Sequence, residues 1–233
     1  MKKTAKFALV KTIPIFLGYI FLGIAFGLLL QKSGLGVLWA FLISALVYAG
    51  SMQFALVGIL TGGLSYITTA VMTLFINSRH AFYGLTFIER FKEMKKAYPY
   101  MVFSLTDETY SLLCSMARPA DFTDREWKQA TFFVSLFDQC YWVLGSVLGA
   151  LMGELIKFDT TGIDFAMTAL FVVICVDQWK AARTHIPAMT GFICGALMLI
   201  RTSNFILPAL AATVAILLFL RRTVEQKMED NNP

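Results

Sequence analysis

The sequence predicts an all-α polytopic integral membrane protein with about seven transmembrane helices (six to eight). Some of these helices are expected to be discontinuous, and the pattern leaves room for two inverted three-helix repeats. Three observations point to this class. The chain of 233 residues is 58% hydrophobic and only 15% charged, whereas a soluble domain carries about 25% charged residues. The runs Ile13 to Leu30, Val37 to Ile76 and Phe205 to Leu220 hold no charge, and a run of about 20 apolar residues matches the roughly 30 Å hydrocarbon core. Within those runs the apolar residues are continuous, where a β-barrel strand would alternate.

Taken in order, the apolar segments are 13–30, 37–60, 64–88, 100–117, 129–155, 165–179, 187–200 and 205–220. They form a single membrane domain, 1–233. It consists of a first helical half (12–88), a polar loop (89–128) with an amphipathic or membrane segment at 100–117, a second helical half (129–220) and a basic, polar tail (221–233). The start, Lys2-Lys3 before an apolar run, invites a leader-peptide reading. The run reaches about 18 residues, longer than the roughly 7–15 of a leader, and no small-x-small site follows it. It is read as the first permanent span.

The net charge is +5, and its placement excludes a nucleic-acid patch. The cations flank the spans: Lys2, Lys3, Lys6 and Lys11; Arg90, Lys92, Lys95 and Lys96; Arg221 and Arg222. This is the pattern of loops held at an anionic cytoplasmic leaflet. Placing all three clusters on one side needs an even number of crossings before residue 89, yet three apolar segments precede it. Either 64–88 re-enters without crossing, or one loop violates the charge rule.

Two features suggest broken helices, which are tolerated in membranes only against protein or water. Asn77-Ser78-Arg79-His80 interrupts the third segment, and Arg201 to Asn204 separates the last two. A glycine echo accompanies them. Gly18, Gly23 and Gly27 line the first segment, and Gly145, Gly149 and Gly153 the fifth. Each is followed by two more apolar segments, the second of which is polar-broken. Three-segment repeats of this kind would be inverted relative to one another, although glycine-rich spans are also common in membranes.

The candidate chemistry lies at the polar intrusions. An arginine at mid-membrane costs roughly 3 kcal/mol on insertion scales, so an intramembrane ionisable residue is read as functional. Arg79 would bind a carboxylate and His80 handle a proton; the alternative is a surface turn. Ser104, Glu108, Ser111 and Ser115 would form one polar helical stripe with Asp107 at its edge. That stripe lines either an aqueous path or a helix lying on the membrane surface. Asp138 sits alone in the run from Ala130 to Gly153 and needs an interior partner, with Ser135 and Gln139 close by. Asp177 closes a short run and can be interfacial. Gly50-Ser51-Met52-Gln53 offers close packing and one amide. Cys114, Cys140, Cys175 and Cys194 form no metal or disulfide spacing. There is no HExxH, GxSxG or P-loop signature of an enzyme.

These residues carry a resemblance that covers about residues 10 to 220. The matching pieces are Pro14 with Gly23-Ile24-Ala25-Phe26-Gly27; Ala49-Gly50-Ser51-Met52-Gln53-Phe54; Asn77-Ser78-Arg79-His80-Ala81-Phe82-Tyr83-Gly84; Thr106-Asp107-Glu108; Trp142-Val143-Leu144-Gly145; and Asp164 to Phe171. In these the chain resembles the AzlC family, the large subunits of branched-chain amino acid exporters. Ser78, where the family usually has an apolar residue, is a small departure. The resemblance implies a multi-pass protein of the bacterial inner membrane that exports amino acids with a small apolar AzlD-like subunit, without a cofactor.

On chemical grounds the expected substrate-binding residues are Arg79, Asn77, Gln53, Ser51 and Glu108, and the expected proton-coupling residues are His80, Asp107 and Asp138. No catalytic or metal-ligating residue is expected. Three other readings stay open: an exporter of another small solute, a membrane scaffold whose polar clusters pair only with each other and, weakest for lack of a nucleophile and base, an intramembrane enzyme.

Overall fold

The computed structural model describes residues 2–155, 184–201 and 206–223, with single positions between 172 and 182 and residue 226. At Arg79, Ala81, Phe82, Ile206 and Leu207 it describes the backbone alone. All regular structure among the described residues is helical. The chain divides into two compact units, Met1–Met167 and Thr168–Pro233.

The first unit is built on two long helices, α1 (Lys2–Lys32, 31 residues) and α7 (Asp124–Leu155, 32 residues). At 1.5 Å per residue each is about 46–48 Å long, and both are long and apolar enough to cross a membrane. Helix α1 starts at Lys2, well before the segment expected from residue 13. Helix α7 opens on a capping box. The Glu126 carboxylate accepts from the Thr123 backbone N–H at 2.9 Å, and the Thr123 hydroxyl accepts from the Glu126 N–H at 3.3 Å.

The two long helices run parallel. At one end the Lys3 ammonium meets Asp121 just before α7, and Phe7 packs on Phe122 and Trp127. Further along, the Thr12 hydroxyl meets the Tyr141 hydroxyl at 3.1 Å, and Tyr19 packs edge-on against Trp142. Towards the other end Gly27 abuts Gly149 and Ala150. The two glycine lines therefore face each other in one tight contact, as small-xxx-small pairs do. This corrects the repeat reading. Inverted three-helix repeats would set α1 and α7 antiparallel, and they are not.

Between them lie two helical hairpins and one long helix. Helix α2 (Val37–Leu46) breaks at Val47-Tyr48-Ala49, where Tyr48 takes φ +42°, and α3 (Gly50–Gly62) follows. Helix α4 (Tyr66–Lys92, 27 residues) then runs unbroken. Its last turns, with Phe87 and Phe91, pack beside Ala8 and Val134 near the starts of α1 and α7. Its first residue is therefore about 40 Å away, at the opposite end. Only Gly63 to Ser65 join α3 to α4, and only Ser33 to Gly36 join α1 to α2. So α2 and α3 enter from that far end, reach the middle and return.

A second hairpin enters from the near end. After a 3₁₀ turn (Lys95–Ala97) come α5 (Tyr98–Phe103) and α6 (Asp107–Ser115). Its tip, Ser104-Leu105-Thr106, lies beside Tyr19 and its return leads to the Arg118–Asp124 ion pair before α7. Arms of 6 to 13 residues span only part of the hydrocarbon core.

Three expectations change as a result. Asn77 to His80 is continuous helix, not a break. Segment 37–60 is a hairpin of two short helices, α2 and α3, and 64–88 lies mostly in the unbroken helix α4. Segment 100–117 is two short helices, which leaves Ser104 off the stripe of Glu108, Ser111 and Ser115. Two long helices, α1 (31 residues) and α4 (27 residues), lie before or run into the basic stretch at 89–96. The cations Lys3, Arg90, Lys92 and Lys128 gather at one end, as an anionic leaflet requires.

The exterior and interior are inverted relative to a water-soluble fold. Phe21 (75% exposed), Leu74 (70%) and Leu85 (66%) face outward, while Ser44, Gln53, Thr109, Ser135, Asp138 and Ser146 are fully buried. Exposed apolar surface on this scale marks a membrane face.

In the second unit, α8 (Ile186–Arg201) packs on α9 (Ile206–Phe219). Most of the expected segment 165–179, with Asp177, lies outside the described residues, as do Thr202 to Asn204.

Candidate functional site

The two hairpin tips enter from opposite ends and meet beside α1 and α7. Tyr48, at the first tip, packs on Phe103 at the second with ring centroids 6.2 Å apart. Backbone left unpaired by a break is costly in an apolar setting, and α7 and the hairpins supply the partners. Gln53 is fully committed to the first tip. Its Oε1 accepts from the Ala49 N–H at 3.1 Å and from the Trp142 indole at 2.9 Å, and its Nε2 donates to Ser44 Oγ at 3.2 Å. Gln139 ties both hairpins to α7. It donates to the Ala45 carbonyl at 3.0 Å and accepts from the Tyr100 hydroxyl at 2.8 Å.

The second tip delivers the acids. Thr106 caps α6, its hydroxyl accepting from the Thr109 N–H, so Asp107 and Glu108 occupy the first helical turn, where the helix dipole favours anions. The Tyr19 hydroxyl donates to Glu108 Oε2 at 2.8 Å and lies 2.6 Å from Thr106 Oγ1. Thr109 Oγ1 donates to Asp138 Oδ2 at 2.8 Å. Asp138 is fully buried. Its Oδ1 has no partner among the described residues, nor does the hydroxyl of Ser135. Ser135, Asp138 and Trp142 fall at i, i+3 and i+7, so one face of α7 presents them together. A buried carboxyl with one unpartnered oxygen is a place to hold a proton or an ammonium group.

The expected site residues divide into groups. Glu108 and Asp138 are brought together through the second tip, with Asp107 beside them. Ser51 lies buried in the first turn of α3, and Gln53 is consumed in holding that tip. Asn77 and His80 lie midway along α4, where His80 Nδ1 is 3.2 Å from the Asn77 carbonyl and the ring packs edge-on to Tyr83. Tyr83 in turn stacks on Tyr110 of α6 at 4.3 Å, which sets this part of α4 beside the second hairpin. The backbone of Arg79 lies at the same level.

Sequence reasoning gave no site role to Tyr19, Tyr48, Thr106, Thr109 or Trp142, although Thr106 and Trp142 lie in the pieces that carry the resemblance. Thr106 was open to recognition, since a threonine before Asp-Glu is a helix-start signal. Tyr48 left no such mark in its apolar run.

Comparison with known proteins places these elements in context. The family model described as AzlC protein matches residues 14–156, which include both hairpins and α7. The branched-chain amino acid transport protein AzlC of Bacillus subtilis (strain 168) is 36% identical over 217 residues, 92% of this chain and 84% of that protein. An uncharacterized membrane protein of Haemophilus influenzae is 34% identical over 230 residues, 97% of this chain and 93% of that one. The inner membrane protein YgaZ of Escherichia coli (strain K12) is 27% identical over 196 residues, covering 80% and 77%. No solved structure matches the chain.

Proposed function

This chain belongs to the AzlC family, and from that premise we propose that it exports branched-chain or other small apolar amino acids. In this reading it sits in the bacterial inner membrane, is driven by the proton gradient and acts with a small apolar AzlD-like subunit. Support for amino-acid transport comes from the name of the Bacillus subtilis relative. Support for a coupled carrier comes from one observation, the meeting of two half-inserted hairpins at the buried carboxyl of Asp138.

A zwitterion needs an anion and a cation donor set within an apolar surround. Glu108, at the start of α6, receives the ammonium. Arg79, at mid-height on α4, receives the carboxylate with its planar fork, assisted by the start of α3 at Gly50-Ser51. Asp138 carries the coupling proton. Aromatic side chains around the tips take the apolar part. They discriminate weakly among Val, Leu, Ile and Met, because one methylene is worth about 1–3 kcal/mol. Gln53, Gln139 and Trp142 position the tips and stay clear of the substrate.

The test is leucine efflux from loaded vesicles, with and without the small subunit. Flux is expected with the complex and is stimulated by an imposed pH gradient. An intact complex that moves none of Leu, Ile, Val or Met would sink the exporter reading.

A further inference from the structure

Three hydroxyls join two acids, Glu108 and Asp138, in one unbroken series. Glu108 Oε2 accepts from Tyr19 (2.8 Å), and the Tyr19 oxygen lies 2.6 Å from Thr106 Oγ1. Thr106 donates to Thr109 (3.1 Å), and Thr109 donates to Asp138 Oδ2 (2.8 Å). The series crosses from the exposed Glu108 to the fully buried Asp138. Every intermediate member is a hydroxyl, and a hydroxyl can donate one proton while accepting another.

Counting protons decides what this series does. It has four links and three hydroxyl protons. With both acids ionised, one link lacks a proton. In the observed geometry Tyr19 donates to Glu108, Thr106 to Thr109 and Thr109 to Asp138, so the empty link is Tyr19–Thr106. That is also the shortest contact of the four, with two oxygens 2.6 Å apart, a distance proper to a made O–H···O bond. One added proton fills all four links. On Glu108 it orients every hydroxyl towards Asp138; on Asp138 it orients every hydroxyl towards Glu108. With none added, one link stays empty.

We propose that Glu108, Tyr19, Thr106, Thr109 and Asp138 form a relay that holds one shared proton and moves it between the two acids. When the proton leaves Glu108, an O–H bond breaks there and one forms at Tyr19. Tyr19 passes its own proton to Thr106, Thr106 to Thr109 and Thr109 to Asp138. Each hydroxyl ends neutral, and no electron is transferred. The proposal rests on the coupled-exporter reading and supplies its linkage. An ammonium group at Glu108 requires the ionised carboxylate, so substrate arrival sends the proton to Asp138. The other titratable groups close to the series are Tyr48 at the first tip, whose hydroxyl bonds to Tyr19 as a side branch, Tyr100 on α5 and Asp107 on α6, with His80 on α4 packed edge-on to Tyr83.

The experiment is difference infrared spectroscopy of the full chain in lipid, following the carboxyl C=O stretch of Asp138, identified by its loss in Asp138→Asn, as pH is varied. Glu108→Gln replaces one acid of the series by a neutral amide that can donate to Tyr19, so the hydroxyls can all turn towards an ionised Asp138. It is expected to change the proton affinity of Asp138 by about tenfold, the value of one hydrogen bond to a charged group. Tyr19→Phe cuts the series and is expected to remove most of that change. Where Tyr19→Phe fails to insert, Thr106→Val cuts the same series and is read in the same way. An effect of Glu108→Gln that is equal with and without the Tyr19 hydroxyl overturns the relay, as does the absence of any effect. The measurement needs no substrate flux, so the relay and the exporter reading fail separately.

Discussion

Gly27 of α1 and Gly149 of α7 pass one another with no room for a side chain. A Cβ at Gly27 would stand 3.0 Å from the carbonyl carbon of Gly149 and would overlap the Ser146 carbonyl oxygen, and one at Gly149 would overlap the Ile24 carbonyl. These neighbours are backbone, which cannot rotate away. Gly149→Ala is therefore expected to destabilise the first unit by about 3 kcal/mol. Gly18→Ala, where nothing lies within 4 Å, is expected to be neutral. Thermal melts in detergent should separate the two, and equal melting temperatures would contradict the close contact.

The same contact fixes the site. It holds Tyr19 of α1 against Trp142 of α7, and Trp142 holds Gln53 at the first tip. Gln53→Leu keeps the volume but strands the Ala49 N–H, the Trp142 indole and the Ser44 hydroxyl. The expected loss is about 3 kcal/mol, mainly from buried donors left unsatisfied. Hydrogen exchange should show it first at residues 47–53. Unchanged protection there would mean that water replaces the amide.

The class of the protein was legible in its sequence, because hydropathy and charge placement act over whole segments. The hairpins were not. Val47-Tyr48-Ala49 is apolar and lacks proline, so 37–60 looks like one span, and the reversal is set by tertiary partners at Gln53 and Gln139. Conversely, Asn77 to His80 looked like a break and is helix. Polar side chains do not end a helix unless they compete for its backbone or lack an N–H. Asp138 and Glu108 were identifiable as expensive intrusions. The hydroxyls that join them were not, since Thr and Tyr are unremarkable in an apolar run.

Acid should loosen the near end. The Asp121 carboxyl is held below its usual range, first by the hydrogen bond from the Lys3 ammonium. A depressed folded-state value adds stability above the unfolded value of about 3.9 and loses it as pH falls through the lower folded value. The pair is exposed, so the effect is small and weakens with salt. A spin-label distance between residue 3's helix turn and the loop before α7 should lengthen in acid. Asp121→Asn should remove that step, and an identical acid profile in the variant would place its origin elsewhere.

Asp138→Asn keeps the shape and can still hydrogen-bond Thr109, but it cannot release a proton. Gradient-driven leucine efflux is expected to fall about a hundredfold, the order of losing one positioned proton carrier. Vesicles with an imposed pH gradient read this directly. Wild-type stimulation by the gradient in the variant would remove Asp138 from the coupling role.

Arg79 gives the sharpest test of substrate orientation. Its backbone lies midway along α4, beside the turn where Tyr83 stacks on Tyr110 of the second hairpin. Arg79→Lys preserves the charge and loses the planar fork that grips a carboxylate in two places. If Arg79 binds the substrate carboxylate, leucine affinity should fall about tenfold, the value of one charge-assisted hydrogen bond. The amine analogue of leucine, which lacks the carboxylate, should bind wild type and variant alike. If Arg79 only holds the bundle together, both ligands should weaken in step with the melting temperature. Parallel measurement of the two affinities and the melt decides between a grip on substrate and a structural pair.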